Sequence, residues 1–436
     1  MCTVSAVADL VSVEDALAHV LARAAPLPGE PVPIAKAAWR VLAEDARAAV
    51  DLPRFPSSAM DGFALRAADT PGTLPIVAHV AAGKPAPRPL GAGEAMGIAT
   101  GGVVPEGADA VVPIEVVTER DGAVQVPAAA EPGANVRPLG GDVRAGDRVV
   151  RAGTTLSPSR IAALAAAGVA RPVCGARPRV AVVATGTELR APGEQLGDGE
   201  IYESNGVMLA AVFRSAGAEV APHETASDDA GVHRTALERG LDADVLVTSG
   251  GVSVGPHDLV RGTLADLGAE EVFWRVAMRP GKPISFATRG RTLVFGLPGN
   301  PVSSLVGALL FVVPALRALQ GALDPAPQFR LGVLGASARR NPHRDDFQRA
   351  RVEVSETGAV LQPIEGQDSH MPRAAASASR SHASLPSGWA APWSSAERRG
   401  GRRSRSRCRR QRCRRASSPF PRENGLSHRR RFHVET

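Results

Sequence analysis

Three apolar segments in the middle of the chain, each followed by a glycine-rich or polar loop and then by a helix-like pattern, constrain the fold most strongly. They are residues 179–184 (RVAVVA), 244–248 (DVLVT) and 292–296 (TLVFG). Short apolar strands that alternate with amphipathic helices are typical of a parallel sheet covered by helices on both faces. The pattern therefore predicts a three-layer αβα doubly wound domain over residues 177–323.

The loops that follow these strands are the first candidates for a ligand site. They read TGTEL (185–189), TSGGVSVGPHD (248–258) and GLPGNP (296–301). In doubly wound sheets, ligands bind beyond the carboxyl ends of the strands. We therefore expect the three loops to converge on one crevice.

Sequence punctuated by glycine and proline surrounds this domain. Short β-type runs predict a β-rich domain over residues 51–142 and a further small β domain over residues 327–371. Residues 5–50 and 143–176 are predicted to form one discontinuous helical and linker region. The fold class is thus α/β and multidomain.

Two helix starts are predicted in the discontinuous region. Ser12 and Asp15 have capping-box spacing before an apolar stripe. Ser157 or Ser159 is expected to cap a second helix, which ends at Gly168.

The formal net charge of +7 is unevenly distributed. Seventeen arginines and three acidic residues give the segment after Met371 a charge of +14, which leaves −7 for residues 1–371. An acidic body gains nothing from counterion release on a polyanion, so any general nucleic-acid binding would belong to the basic segment. Residues 372–436 lack aliphatic periodicity and are predicted to form a disordered Arg-rich tail. This tail is either a basic arm or an abnormal coding end, and the scarcity of lysine beside arginine favours the second.

Neither a secretory nor a membrane-spanning segment is indicated. The first residues lack a basic start and a long apolar run. The longest apolar run, Leu305 to Leu316, contains Pro314 and is shorter than the roughly 20 residues that span a bilayer. The four cysteines form no CxxC pair. We expect a soluble cytoplasmic protein.

Two of the loops have the composition of anion-binding turns. Small residues directly after a strand let backbone N–H groups approach an oxyanion, although the same residues also suit a simple tight turn. The first loop supplies Ser249, Gly250, Gly251 and Ser253, and the second supplies Gly299, Asn300 and Pro301. For the second loop, helix initiation alone is the competing interpretation. Two such loops at one sheet edge favour phosphate binding.

Lysine usage singles out one position. The chain has only Lys36, Lys84 and Lys282, and Lys282 follows Arg279 in the string MRPGKP. An ammonium and a planar guanidinium together suit an oxyanion. A solvated surface group is the competing interpretation for any single lysine, and we expect it for Lys36 and Lys84.

Carboxylates occur in several of the loops. They are Asp61, Glu188, Asp228, Asp229 and Asp258. Oxygen ligands without neighbouring Cys or His suit Mg²⁺ that bridges phosphates rather than zinc. Turn or cap chemistry would explain each one alone. Together they favour a metal–phosphate site.

Seven ordered strings resemble the molybdopterin molybdenumtransferases, the MoeA family, which includes a domain of gephyrin. The strings are LPRFPSSAMDGFALRAAD (52–69), ATGGVVPEGADAVV (99–112), GANVRPLGGD (133–142), RPRVAVVATGTEL (177–189), TSGGVSVGPHD (248–258), VAMRPGKP (276–283) and FGLPGNPVSS (295–304). The resemblance extends in colinear order from near residue 8 to about Met371. It implies Mg²⁺-dependent insertion of molybdate into adenylylated molybdopterin with release of AMP, by a cytoplasmic homodimer. It also implies a pathway partner, the adenylyltransferase that makes the adenylylated substrate.

The resemblance further implies residue roles. It makes residues 177–323 the molybdopterin-binding domain and residues 51–142 a cleft domain. The implied catalytic residues are Asp61, Asp228, Asp258, Arg279 and Lys282, and the implied Mg²⁺ ligands are Glu188, Asp228 and Asp258. The implied substrate-binding residues are Thr100, Arg137, Asp142, Ser249, Gly250, Gly251, Ser253, Gly299, Asn300, Pro301, Arg344, Arg349 and Ser369.

The chain departs from the family pattern after Met371. A family member would continue with strand-forming sequence, whereas this chain has the Arg-rich segment. The domain at 327–371 is therefore expected to be truncated, and the chain could be a catalytically impaired member of the family.

Three different functions compete with the transferase interpretation. They are the adenylyltransferase itself, a non-enzymatic scaffold, and a nucleic-acid binder that acts through the tail. The β-rich domain favours the molybdenumtransferase over the adenylyltransferase, and retention of the acidic residues argues against a scaffold. Nucleic-acid binding would depend on the tail alone.

Overall fold

The computed structural model describes residues 10–227, 229–251, 259–329, 332–336, 341–355, 358–364 and 367. Four predicted site residues, Asp228, Ser253, Asp258 and Ser369, lie outside these residues, as does the predicted Arg-rich tail.

Helices begin where the sequence supplies a cap. Ser12 Oγ accepts a hydrogen bond from the Asp15 N–H at 3.0 Å and donates to the Asp15 carboxylate at 2.7 Å. Ser157, not Ser159, is the N-cap of the second helix, and Gly168 follows that helix with a φ of +78°. Both predicted helix starts are confirmed. The α-helices are α1 (Val13–Leu21), α2 (Pro158–Ala166), α3 (Asn205–Ser215), α4 (Ala230–Gly240), α5 (Leu259–Asp266), α6 (Pro301–Gly307) and α7 (Val313–Leu319), and short 3₁₀ turns lie at Ile34–Lys36, Ala67–Asp69 and Ile114–Val116.

The strands are short outside the central sheet. They are β1 (Gly29–Pro31), β2 (Ala46–Arg47), β3 (Ser57–Ser58), β4 (Gly62–Leu65), β5 (Gly72–Val80), β6 (Ala95–Ile98), β7 (Ala110–Pro113), β8 (Thr118–Arg120), β9 (Ala123–Val126), β10 (Val136–Arg137), β11 (Arg148–Val150), β12 (Val173–Gly175), β13 (Arg179–Thr185), β14 (Leu189–Arg190), β15 (Ile201–Tyr202), β16 (Glu219–Val220), β17 (Glu224–Ala226), β18 (Val245–Ser249), β19 (Glu270–Trp274), β20 (Met278–Arg279), β21 (Ser285–Arg289), β22 (Thr292–Leu297), β23 (Val333–Leu334), β24 (Asp345–Asp346), β25 (Ala350–Ser355) and β26 (Gly358–Pro363).

A seven-stranded sheet with helices on both faces forms the centre of the fold. Its order is β16-β13-β18-β22-β21-β19, and β17 also pairs with β13. Alternate side chains of β18 point to opposite faces: Val245 and Val247 join one core with α1, α3 and α7, whereas Leu246 joins the other core with α4 and α5. The predicted three-layer αβα arrangement is confirmed.

Four strands of this sheet, β16, β17, β19 and β21, were not predicted from the sequence. Strands β19 and β21 are antiparallel neighbours at one edge, so the sheet is mixed rather than wholly parallel. Both sequences, EEVFW and SFATR, mix polar with apolar residues, so neither has the continuous apolar run of a central parallel strand. Of these two, only β19 is an edge strand, since β21 pairs with β22 on its other side.

Several smaller sheets lie outside the central one. Strands β7-β4-β6-β5-β9-β8 form a six-stranded sheet within the predicted β-rich region. Strands β1 and β2 pair with β12 and β11, which joins the two parts of the predicted discontinuous region. Strands β23-β26-β25 form a three-stranded sheet near the end of the described residues. The α/β multidomain class is confirmed, while the exact domain boundaries stay predictions.

The apolar segment before residue 320 is longer than expected. The helix runs from Pro301 to Leu319 through a π-helical turn (Ala308–Val312), and this turn accommodates Pro314. These 19 residues are long and apolar enough to cross a membrane by length and composition, but 67% of the segment is buried inside the protein. Its placement is that of a core helix in the αβα layer.

Candidate active site

The three loops predicted to hold ligand start side by side at one edge of the sheet. In the strand registers, Ala184 pairs with Ser249, and Ser249 pairs with Leu297. Strands β13, β18 and β22 therefore end next to each other. The loops also touch, since the Gly250 N–H donates to the Leu297 carbonyl at 3.0 Å. The predicted adjacency is confirmed for the described parts of the loops, whereas a crevice shared by all three loops stays a prediction.

Glycine is required where the first two loops cross. Gly250 has a φ of +96°, and a Cβ placed on it would lie 2.7 Å from the carbonyl oxygen of Thr185. The same Cβ would meet backbone, which cannot move aside as a flexible side chain can. Gly251 also has a positive φ, +61°. The small residues thus permit a close approach of two backbones, which a simple tight turn also requires.

Asn205 connects the loops and was not singled out from the sequence. This side chain is 8% exposed, and its Nδ2 donates to Ser249 Oγ at 2.9 Å and to the Gly299 carbonyl at 2.6 Å. It stands at the start of α3, so it joins that helix to the ends of β18 and β22. The sequence could not have indicated these contacts, because Ser249 and Gly299 lie 44 and 94 residues away along the chain.

A cleft of about 380 Å³ opens beside the third loop. Its polar and charged lining comes from four stretches of the chain and consists of Arg279, Lys282, Asn300, Ser303, Arg344, Asp346, Gln348 and Gln367. Arg279, Lys282, Asn300 and Arg344 were predicted from the sequence. Ser303, Asp346, Gln348 and Gln367 were not. Among the described residues, no ion pair is made by Arg279, Lys282 or Arg344.

Pairing of two short strands builds the far wall of this cleft. Strand β24 runs parallel to β20 with Asp346 opposite Arg279, and the Phe347 N–H donates to the Arg279 carbonyl at 2.7 Å. Gln367 is held by Arg349, since the Arg349 N–H donates to Gln367 Oε1 at 3.0 Å. The backbone of Arg349 thus supports the wall, but Arg349 is not itself a lining residue of the cleft.

A second group of predicted residues lies around the β-rich sheet. Asp61 Oδ1 accepts hydrogen bonds from the Thr100 N–H at 2.7 Å and from Thr100 Oγ at 3.0 Å. Arg137 forms an ion pair with Asp142, and both side chains are about half exposed. Strand β10, which carries Arg137, pairs with β3 just before Asp61. The contacts among the described residues do not link this group to the cleft.

The hydrogen bonds from Thr100 have an electrostatic consequence. The backbone N–H of Thr100, followed by its hydroxyl, lowers the pKa of Asp61 below the ordinary carboxyl value because both stabilise the charged form. Slight burial opposes this shift. Asp61 is therefore an ionised acceptor at neutral pH.

Glu188 is the one predicted Mg²⁺ ligand within the described residues. It follows the end of β13, is exposed, and its carboxylate lies over Gly186, where an added Cβ would meet Oε2 at 2.5 Å. The described residues contain no group of three or more His, Cys, Asp or Glu that could hold a metal ion.

The third loop leads directly into a helix, since Pro301 is the first residue of α6, as predicted. Gly299 lies close to the second loop, because a Cβ placed on Gly299 would be 3.6 Å from the Gly250 Cα.

A helix-covered sheet, several small β sheets and a cleft lined by three cations define a multidomain α/β protein. Comparison with known proteins specifies the class further. Residues 11–168 match the family model described as MoeA N-terminal region (domain I and II), and residues 181–318 match the model described as probable molybdopterin binding domain.

Relatives and solved structures agree with these matches. The chain is 39% identical over 345 residues to molybdopterin molybdenumtransferase 2 of Mycobacterium tuberculosis (strain CDC 1551 / Oshkosh), covering 76% of this chain and 84% of that protein. It is 33% identical over 362 residues to the molybdopterin molybdenumtransferase of Staphylococcus aureus (strain Mu50 / ATCC 700699), covering 81% and 86%. A crystal structure of the molybdopterin biosynthesis MoeA protein of Pyrococcus horikoshii superimposes with a TM-score of 0.68 at 32% identity, covering 82% of this chain and 90% of that one. The chain belongs to the molybdopterin molybdenumtransferase (MoeA) family, a family of transferases in molybdenum cofactor biosynthesis.

Proposed function

We propose that this chain inserts molybdate into adenylylated molybdopterin, with Mg²⁺-dependent release of AMP. The observation that carries the proposal is the cleft in which Arg279, Lys282 and Arg344 converge without an ion-pair partner among the described residues. Cations that form no ion pair in a concave site attract an oxyanion. The names of the relatives support molybdate as that oxyanion and molybdopterin as its acceptor.

Positioned charge supplies the chemistry in this proposal. Arg279 and Lys282 hold molybdate, because a planar guanidinium and an ammonium together orient a tetrahedral oxyanion. Ser249, Gly250 and Gly251 are assigned to the pterin phosphate at the end of β18, where two glycines with positive φ keep the loop free of Cβ atoms. Donors fixed in advance stabilise charge that develops during reaction without having to reorganise.

We assign Mg²⁺ to Glu188, Asp228 and Asp258, as the family resemblance implies. Glu188 fits this role, because Gly186 leaves room for its carboxylate beside the strand end, and oxygen is the donor that Mg²⁺ prefers. Asp228 and Asp258 complete the proposed ligand set. When bound, the ion would neutralise negative charge on the phosphoanhydride. Asp61 and Asp258 are proposed to act on the same anhydride.

The second group of residues is assigned to the substrate as well. Thr100, Arg137 and Asp142 are proposed to bind it in the cleft of the β-rich domain, and Asn300, Pro301, Arg344, Arg349 and Ser369 to bind it in the αβα part and the last β domain. We propose that the protein acts as a cytoplasmic homodimer and receives its substrate from the adenylyltransferase of the pathway.

Release of AMP tests the reaction directly. Purified full-length protein is mixed with adenylylated molybdopterin, Mg²⁺ and molybdate, and AMP is followed over time by chromatography. We expect AMP only when both molybdate and Mg²⁺ are present. AMP release that is equal with and without molybdate would reject the insertion reaction, and no release under any condition would support a catalytically impaired chain.

A further inference from the structure

The three-stranded sheet near the end of the described residues has a six-residue strand at its edge. Its order is β23-β26-β25, and within the described residues β25 (Ala350–Ser355) pairs only with β26. The outer side of β25 therefore presents backbone N–H and C=O groups without a strand partner in the described part of the chain. Such an edge is a template for pairing with another strand.

This sheet buries little apolar surface near that edge. Leu361 is 2% exposed, whereas Val354 is 84% exposed. Val352 lies opposite Leu361 in the register of β25 with β26, so Val354, two residues further on, belongs to the same face of the sheet as Leu361. The apolar face is thus covered at Leu361 and open along β25. A small sheet of this kind gains stability from further strands that extend its apolar face.

The opposite face of β25 carries one residue of each charge. Arg351 and Glu353 are both exposed, and neither forms an ion pair with another described residue. They alternate with the apolar residues, as expected in a strand with one apolar and one polar face. Read in the reverse direction, the order of the two charges is inverted. The edge of β25 is therefore complementary to an antiparallel copy of itself.

Only one register of β25 against itself pairs its charges. With Val352 on the two-fold axis, Arg351 of each copy lies opposite Glu353 of the other, and Val354 lies opposite Ala350. A register centred on Arg351 or Glu353 would place like charges opposite each other, and a shift by one residue would place charged side chains beside valines. We propose that β25 pairs with β25 of a second copy in the register centred on Val352, which joins the two sheets by an isologous contact. This inference goes beyond the proposed function and does not depend on it.

A cysteine on the proposed two-fold axis tests the contact. The background is full-length protein with Cys2, Cys408 and Cys413 changed to serine, which leaves only the buried Cys174. Val352→Cys places two thiols opposite each other, where Cα atoms are roughly 4.5–5.5 Å apart, a spacing that suits a disulfide. We therefore expect a covalent dimer on non-reducing gels after mild oxidation. Val354→Cys, at a more exposed position, should give none, because its two thiols would be roughly 14 Å apart along the strands.

Charge substitutions test the register. On the Val352→Cys background, Arg351→Glu or Glu353→Arg places like charges opposite each other and should slow formation of the covalent dimer by at least about 10-fold. The two substitutions together restore opposite charges and should restore the rate.

Three results would each overturn the inference. Absence of a covalent dimer in Val352→Cys would show that something other than a second copy covers the edge. Equal cross-linking of Val352→Cys and Val354→Cys would show that the thiols meet by random collision. A rate that does not change with the charge substitutions would show that Arg351 and Glu353 do not face each other across the contact.

Discussion

At the scale of single residues, the hydrogen bonds between Thr100 and Asp61 connect the charge state of Asp61 with the stability of the folded protein. Thr100 donates twice to one carboxylate oxygen, which lowers the pKa of Asp61. A carboxyl whose pKa is lower in the folded state contributes stability at pH above its unfolded pKa, and this contribution is lost as pH falls through the folded value. The pair therefore favours the folded protein at neutral pH and not in strong acid.

Substitution of Thr100 tests this link. Thr100→Val removes the hydroxyl donor and keeps the backbone donor, so the pKa of Asp61 should rise part of the way toward its ordinary value. Carboxyl chemical shifts followed by NMR across the acid range give the change. Asp45 is an internal control, since its pKa is lowered chiefly by the Ala152 N–H and should not move. An unchanged pKa of Asp61 would mean that the hydroxyl does not contribute.

Asn205 offers a second test at the residue scale. Asn205→Ala leaves Ser249 Oγ and the Gly299 carbonyl without their donor, which should lower the free energy of unfolding by about 1–3 kcal/mol. Chemical denaturation measures the loss. Gln328→Ala, on an exposed side chain that donates a hydrogen bond to Asp324, should stay within about 0.5 kcal/mol of wild type. Equal stability of the two variants would contradict the linking role.

At the scale of elements, the sequence was informative where local rules dominate. The Ser12 cap and the apolar run of β18 were predictable, because helix capping and burial on both faces of a sheet each require particular residue types at neighbouring positions. Strands β19 and β21 were not predictable, because a strand of mixed composition depends on its neighbours in the sheet more than on its own residues. Pairing of β20 with β24 could not be predicted either, since strands of two residues are too short to show a periodic pattern.

A matched pair of glycine substitutions tests the loop geometry. Gly250→Ala should destabilise the protein by about 1–3 kcal/mol, because φ is +96° and the new Cβ would meet the Thr185 carbonyl. Gly262→Ala, inside α5 with open space around it, should stabilise by about 0.5–1 kcal/mol, since alanine restricts the unfolded chain. Thermal unfolding of both variants gives the sign of each change in stability. The same sign for both would contradict the assigned strain.

At the scale of the whole molecule, the candidate site draws on segments far apart in the chain. The sequence singled out Arg279, Lys282 and Arg344, and the fold brings all three to one cleft. Asp346 was identified as a lining residue only from the structure, because its position depends on the register between β24 and β20. Asp61 and Thr100 lie in a separate group, so the roles proposed for them require the substrate to be present for a direct test.

The molybdate dependence of AMP release in a lysine variant tests the central claim most directly. Lys282→Ala removes the ammonium from the cleft, whereas Lys36→Ala removes one from an exposed 3₁₀ turn elsewhere. We predict that stimulation of AMP release by molybdate is lost, by at least about 10-fold, in Lys282→Ala and kept in Lys36→Ala. Full stimulation in Lys282→Ala would contradict the assignment of this cleft to the oxyanion.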